Sequence, residues 1–153
     1  MAVRRGGPLD LARHRLLTSW AADCAEHVLP LFAGKYPDDE RPRLAIETAR
    51  AWARGEVTVG EARAAAVAAQ AAARSAAEGA PREAARAAGH AVAAAHMADH
   101  SLGAAWYAIR AVGRAPEAPD PQLAADRERQ WQREHLPRKI RELVVSAQEQ
   151  RSI

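Results

Sequence analysis

The sequence predicts an all-α protein: a compact single-domain bundle of about six to seven alanine-rich helices spanning residues 1–153. Three observations support this. The 153 residues include 40 alanines, the residue with the highest helix propensity. Apolar residues recur at intervals of three and four, and no segment alternates as a strand would. A chain of this length can bury a core without metal or disulfide support, and its single cysteine excludes an internal disulfide.

The first helix is expected to begin after Asp10, which can cap it, and to run toward Leu31 with a break allowed near Thr18 and Ser19. Residues 1–8 are expected to form a flexible N-terminus. At 100° per residue, five side chains of this helix fall on one stripe, which we expect to be buried: Leu16, Trp20, Cys24, His27 and Leu31.

Two further helices follow a polar loop. Pro42 lies near the first turn of the second helix, and Gly55 is expected to end it. Thr58 and Glu61 have the spacing of a capping box and are expected to open a long alanine helix toward Ala77.

The second half of the chain contains four more predicted helices. Pro81 starts the first of these, and Ser101 is expected to cap the next. Residues 113–121 contain three of the nine prolines and are predicted to be a linker. The last two helices follow, separated by Leu136–Pro137.

A duplicated helical hairpin is a further hypothesis. Shifting the chain by 43 residues pairs Gly60 with Gly103, along with several alanines. Alanine matches carry little weight in so alanine-rich a sequence, so the hypothesis depends on the glycine pair.

The charge pattern argues against nucleic acid and membrane partners. The net charge is +3 and the isoelectric point about 9.6, which alone would suggest a weak nucleic-acid binder. However, basic and acidic residues alternate, as in "DRERQWQREHLPRKIRE", so no basic stripe is left unneutralised. There is no signal-peptide core and no run of 18 apolar residues, and we therefore expect a soluble cytoplasmic protein.

The segment "SWAADCAEHVLPLF" combines groups that could serve catalysis. Asp23 and His27 are four residues apart and can meet on one helix face, beside the thiol of Cys24. Because Cys24 is adjacent to Asp23 on the same helix, it points away from the second ring nitrogen of His27. We interpret Asp23 and His27 as a structural polar pair and Cys24 as a small core residue, and we predict no catalytic residues here.

The segment "GHAVAAAHMADH" offers an alternative function as a metal-binding helical bundle or metal-dependent enzyme. His96 and His100 have i,i+4 spacing, Asp99 could add an oxygen ligand, and His90 or His27 could be a remote fourth ligand. A helix end near Asp99 would instead turn His100 away, and we prefer no metal, with Asp99 and Ser101 as capping residues.

No other cofactor motif is present. The sequence contains no glycine-rich phosphate loop, serine elbow or paired catalytic carboxylates, so no cofactor is expected. Trp52, Trp106 and Trp131 lie on separate predicted helices and are expected to be the largest packing units of the core.

The chain resembles the Imm-5-like immunity proteins of bacterial polymorphic toxin systems. The resemblance lies in "WAADCAEHVLPLF", "YPDDERPRLAIETARAWARGEVTVGEARAAAVAAQAAAR", "AARAAGHAVAAAHMADHSLGAAWYAIRA" and "ERQWQREHLPRKIREL", and so covers nearly the whole chain. It implies a cytoplasmic helical protein that binds a cognate toxin and blocks it by occlusion, without catalysis. It supplies no site residues.

The candidate partner-binding surface is the loop "YPDDER". Asp38, Asp39 and Glu40 lie together there, and an exposed Tyr36 could anchor a partner. The alternative is that Asp38 and Asp39 only cap the second helix. The oligomeric state, monomer or homodimer, stays open because alanine-faced helices pack equally well within and between chains.

Overall fold

The computed structural model describes residues 9–153, and within that range every regular element is an α-helix. The helices are α1 (Leu11–Val28), α2 (Pro30–Ala33), α3 (Arg41–Ala53), α4 (Val59–Ser75), α5 (Ala80–Ala93), α6 (His100–Gly113), α7 (Pro121–Glu134) and α8 (Arg138–Gln150). Helix α2 is a single turn, so the seven longer helices confirm the predicted all-α class. The expected flexible N-terminus, residues 1–8, lies outside the described residues.

Local signals set several helix ends as predicted. The Asp10 side chain accepts a hydrogen bond from the backbone N–H of Arg13 at 2.8 Å, which caps α1. Thr58 does the same for α4, accepting from the N–H of Glu61 at 3.1 Å. Gly55 follows α3 with a φ of +77°, a left-handed conformation that favours glycine.

Two expected boundaries are wrong. Helix α1 continues without a break through Thr18, which is fully buried and donates its hydroxyl to the carbonyl of His14 at 3.1 Å, a bond that fits inside a helix. Ser101 lies within the first turn of α6, buried, and donates to the carbonyl of Ala98 at 2.7 Å instead of capping. Asp99 precedes the helix but makes no side-chain cap.

Helix α5 occupies the centre of the bundle and contacts α1, α2, α3, α4 and α6. Seven of its ten buried positions are alanine, including Ala84, Ala88 and Ala91 with no exposed surface. Methyl side chains let neighbouring backbones approach closely, which explains how one helix can touch five others.

Aromatic packing differs from the prediction. The largest fully buried side chain is Trp20, while Trp52 is nearly buried and both Trp106 and Trp131 are half-buried. The indole N–H of Trp20 donates to the carbonyl of Gln132 at 2.9 Å, which joins α1 to α7. The predicted stripe on α1 is only partly buried: Trp20 and Cys24 are buried, whereas His27 is exposed.

The C-terminal helices pack back onto the bundle. Helix α7 lies against α6, across the proline-rich connection, and α8 contacts α1. The buried Gln132 side chain donates to the carbonyl of Ala105 at 3.0 Å, a second link between α7 and α6. Within residues 9–153, no helix combines the length and hydropathy needed to cross a bilayer.

Candidate functional site

Three histidines meet where α5 turns into α6. His90 lies on α5, His96 in the turn and His100 at the start of α6. The Nδ1 atoms of His90 and His100 are 3.3 Å apart, and the His96 and His100 ring centroids are 5.2 Å apart. The sequence pointed to the pair His96 and His100, whereas the closest nitrogens belong to His90 and His100.

Gly103 makes room for this cluster. A Cβ placed on Gly103 would lie 2.6 Å from Nδ1 of His90, closer than a real contact allows. The absence of a side chain therefore lets the His90 ring rest directly on the α6 backbone.

The metal alternative built on His96, Asp99 and His100 does not assemble as expected. The carboxylate of Asp99 accepts a hydrogen bond from Arg151 at 2.9 Å, because the C-terminus of the chain folds against this turn. Among residues 9–153, no group of three or more histidine, cysteine, aspartate or glutamate side chains is placed to hold a metal ion.

The histidines favour their neutral forms. Burial, with the nearby His100 and Arg86, lowers the pKa of His90 from 6.5 to about 4. Burial is also the main cause that lowers the pKa of His96 and of His100. At neutral pH each ring therefore presents one N–H donor and one acceptor nitrogen rather than a charge.

A groove of about 400 Å³ lies beside the cluster, between α4 and the α5–α6 turn. It is lined by Ala66, Val67 and Arg74 of α4, by Ala93 of α5 and by the three imidazoles. Val67 is 68% exposed, the highest value among the exposed large apolar residues of the described chain.

Asp23 and His27 take separate partners, which corrects the predicted pair. Nδ1 of His27 lies 2.8 Å from Oε1 of Glu128 on α7. Asp23 accepts instead from Arg50 of α3 at 2.9 Å. Spacing along α1 allowed the two side chains to meet, but each is drawn to an oppositely charged or polar group on a neighbouring helix.

The rings of His27, Trp131 and His135 form a stacked aromatic column beside α7, which was not predicted from the sequence. The ring of His27 stacks on Trp131 with centroids 3.6 Å apart, and His135 stacks on the Trp131 ring at 4.0 Å. Glu128 and Trp131 lie on one face of α7, and His135, the C-cap that directly follows the helix, continues this face at i+7. That spacing was a usable signal, but alternating charges made the segment resemble a solvated face.

Cys24 is fully buried in the core, as interpreted from the sequence. Burial, followed by the nearby carboxylates of Glu128 and Asp23, raises the pKa of the Cys24 thiol well above its usual value. The residue therefore stays a neutral thiol, which is a poor nucleophile.

The acidic loop is largely satisfied by its own arginines. Asp39 accepts from the backbone N–H of Arg41 at 3.1 Å and from its guanidinium at 2.7 Å, and this pairing lowers the pKa of Asp39. Glu40 pairs with Arg43 at 2.8 Å. Asp38 and Glu40 are exposed. Asp39 accepts from the N–H of Arg41, the first residue of α3, and this is the role at the helix start that the alternative interpretation gave to Asp39.

Tyr36 is half-buried rather than exposed. Its hydroxyl accepts a hydrogen bond from the backbone N–H of Ala77 at 2.8 Å, and its ring contacts Phe32 at a centroid distance of 5.1 Å. The phenol is held here because Ala77 lies beyond the C-cap of α4, and the tyrosine oxygen is the acceptor for its backbone N–H.

Comparison with known proteins gives one match. Residues 7–139 match the family described as "Imm-5 like putative immunity protein". No curated protein and no solved structure matched the chain significantly. Because the match covers most of the 153 residues, the chain belongs to the Imm-5-like family.

Proposed function

We propose that this protein is a non-catalytic bacterial immunity protein that binds a cognate toxin in the cytoplasm and blocks it by occlusion. The observation that carries the proposal is the family match over residues 7–139. The neutral, buried thiol of Cys24 agrees with a binding role, since the one potential cysteine nucleophile is placed in the core.

Occlusion favours a surface that is already in its binding conformation, because ordering mobile segments on binding costs affinity. Ion pairs between helices support such a surface. Arg50 of α3 holds both Asp23 and Glu26 of α1, at 2.9 and 2.6 Å. Arg110 of α6 reaches the buried Glu83 of α5 at 2.8 Å.

The loop that begins at Tyr36 is one contact surface under this proposal. Asp39 and Glu40 pair with Arg41 and Arg43, whereas Asp38 is exposed and forms no salt bridge within residues 9–153, so its negative charge is available to a partner. The anchored Tyr36 fixes one end of the loop. A basic segment of the toxin would complement it.

Co-expression with the toxin encoded beside this gene tests the proposal. We expect the chain to restore growth and to co-purify with the toxin. Asp38→Lys should weaken co-purification, whereas Asp126→Lys, the same charge change at an exposed site on α7, should not. Failure of the unaltered chain both to rescue growth and to co-purify would refute the proposed function.

A second candidate, a metal-binding helical protein, draws on one distance. The 3.3 Å between the Nδ1 atoms of His90 and His100 fits a hydrogen bond and is also the spacing, about 3.3 Å, of two nitrogens bound at about 2.0–2.1 Å to a tetrahedral zinc ion. Within residues 9–153 no third histidine, cysteine, aspartate or glutamate is placed to complete such a site, so a metal would need ligands from elsewhere. Elemental analysis of untagged protein tests it. A bound metal, with loss of stability on adding chelator, would favour this candidate over the first.

A further inference from the structure

We propose that the groove between α4 and the α5–α6 turn is a second docking surface, which receives an acidic segment of the toxin. This inference rests on the proposed function for the identity of the partner. It concerns residues of α4, α5 and the α5–α6 turn, none of which belongs to the loop at Tyr36.

A single face of α4 borders the groove. Arg63, Val67, Gln70 and Arg74 follow one another at intervals of four, three and four residues, so their side chains form one stripe. Val67, Gln70 and Arg74 line the groove, and Arg63 lies near enough to His96 to lower the pKa of that ring.

The two arginines of this stripe are exposed and unpaired in the described part of the chain, a property that they share with Arg127 and Arg138, and their position along the groove is what distinguishes them. Arg13, Arg43 and Arg54 each bind a carboxylate within four residues along the chain. Arg63 and Arg74 are exposed, and neither forms a salt bridge within residues 9–153. Their charge is therefore available to a partner.

No acidic side chain lines the groove to offset this charge. The nearest carboxylate in sequence to the histidines, Asp99, is engaged by Arg151. The groove consequently combines the positive charge of Arg74, with Arg63 nearby, and uncharged imidazole rings, and this combination favours a carboxylate as the ligand.

The apolar centre of the stripe favours a protein segment over nucleic acid. Val67 lies between the arginines, which are about 16 Å apart along the helix axis at 1.5 Å per residue. A segment with an apolar side chain between two acids would match this order. A phosphate backbone would instead need a denser row of cations and would leave Val67 without a partner.

The test measures affinity of the purified chain for the purified toxin encoded by the adjacent gene. Arg63→Glu with Arg74→Glu should weaken binding by roughly 100-fold, about 10-fold for each arginine, and should flatten its salt dependence. The matched control, Arg127→Glu with Arg138→Glu, makes the same charge change at exposed positions on α7 and α8 and should leave affinity within about 2-fold. The affinity of the double variant Arg63→Gln with Arg74→Gln should lie between those of the unaltered chain and the double glutamate variant. Circular dichroism of each variant checks that it folds.

Each outcome separates the two proposals. If the unaltered chain does not bind toxin, the proposed function fails and this inference fails with it. If the chain binds and the Arg63 and Arg74 variants bind equally well, or no worse than the control, only this inference is overturned. Displacement of the toxin by a fluorescein-labelled 15-mer oligonucleotide would also overturn it in favour of a nucleic-acid groove.

Discussion

Replacing Gly103 by alanine tests the close approach of α5 to α6. The new Cβ would lie 2.6, 3.1 and 3.2 Å from the Nδ1, Cγ and Cε1 atoms of His90, where carbon contacts normally begin at about 3.5 Å. Overpacking of this kind costs about 1–3 kcal/mol, and the better helix propensity of alanine returns about 1 kcal/mol. We expect a net loss of about 1 kcal/mol in the free energy of unfolding.

The same substitution in a His90→Ala background isolates the contact. The three atoms nearest to the added Cβ all belong to the His90 ring, so without this ring Gly103→Ala should stabilise the fold by about 1 kcal/mol. The coupling energy of the cycle is then about 2 kcal/mol, which urea unfolding can resolve.

Gly60→Ala is the matched control, because its nearest atom would be Thr58 Oγ1 at 3.7 Å, an ordinary contact. It should be neutral or stabilising by less than about 1 kcal/mol. If Gly103→Ala costs the same with and without the His90 ring, the argument that this glycine exists to admit the imidazole is refuted.

Two further predictions concern buried charge. The pKa of His90 is about 4 in the folded chain and 6.5 in the unfolded chain, so the unfolded chain binds the proton more tightly. The contribution of neutral His90 to the free energy of unfolding is therefore complete above about pH 6.5 and is lost as the pH falls toward 4. Between pH 7 and pH 4 the free energy of unfolding, measured with urea, should fall by about 3 kcal/mol more for the unaltered protein than for His90→Asn. Equal falls for the two proteins would contradict this prediction. Arg110→Met leaves the buried carboxylate of Glu83 with only Arg86 and should lower the free energy of unfolding by about 2–3 kcal/mol. Glu83→Gln leaves two guanidiniums that are part-exposed and should lower it by less. A larger loss for Glu83→Gln would contradict the view that the buried carboxylate is the group that needs its partners.

Helix positions were predictable because their causes are local. Asp10 and Thr58 each bind a backbone N–H three residues ahead, and Gly55 adopts a left-handed φ, so a short window of sequence contains all the necessary information. Thr18 misled the analysis for the same reason. A break was allowed near Thr18 and Ser19, but burial of Thr18 and its bond to the carbonyl of His14 fit a continuous α1.

The partners of site residues were not predictable because they are distant in sequence. His27 lies 101 residues from Glu128, and the choice of that partner over Asp23 depends on how α7 docks against α1. Likewise, the spacing of His96 and His100 indicated a cluster, but only the packing of α5 on α6 brings in His90. The glycine pair behind the duplication hypothesis has unequal surroundings, since Gly60 is open where Gly103 is enclosed, and that hypothesis stays a prediction.

The measurement that tests the central claim most directly is titration of the purified toxin from the adjacent gene with the purified full chain, following toxin activity and binding heat together. The account predicts saturable binding at a fixed stoichiometry, with toxin activity falling in step with occupancy. Binding without inhibition, or inhibition at substoichiometric amounts of this chain, would contradict a protein that acts by occlusion.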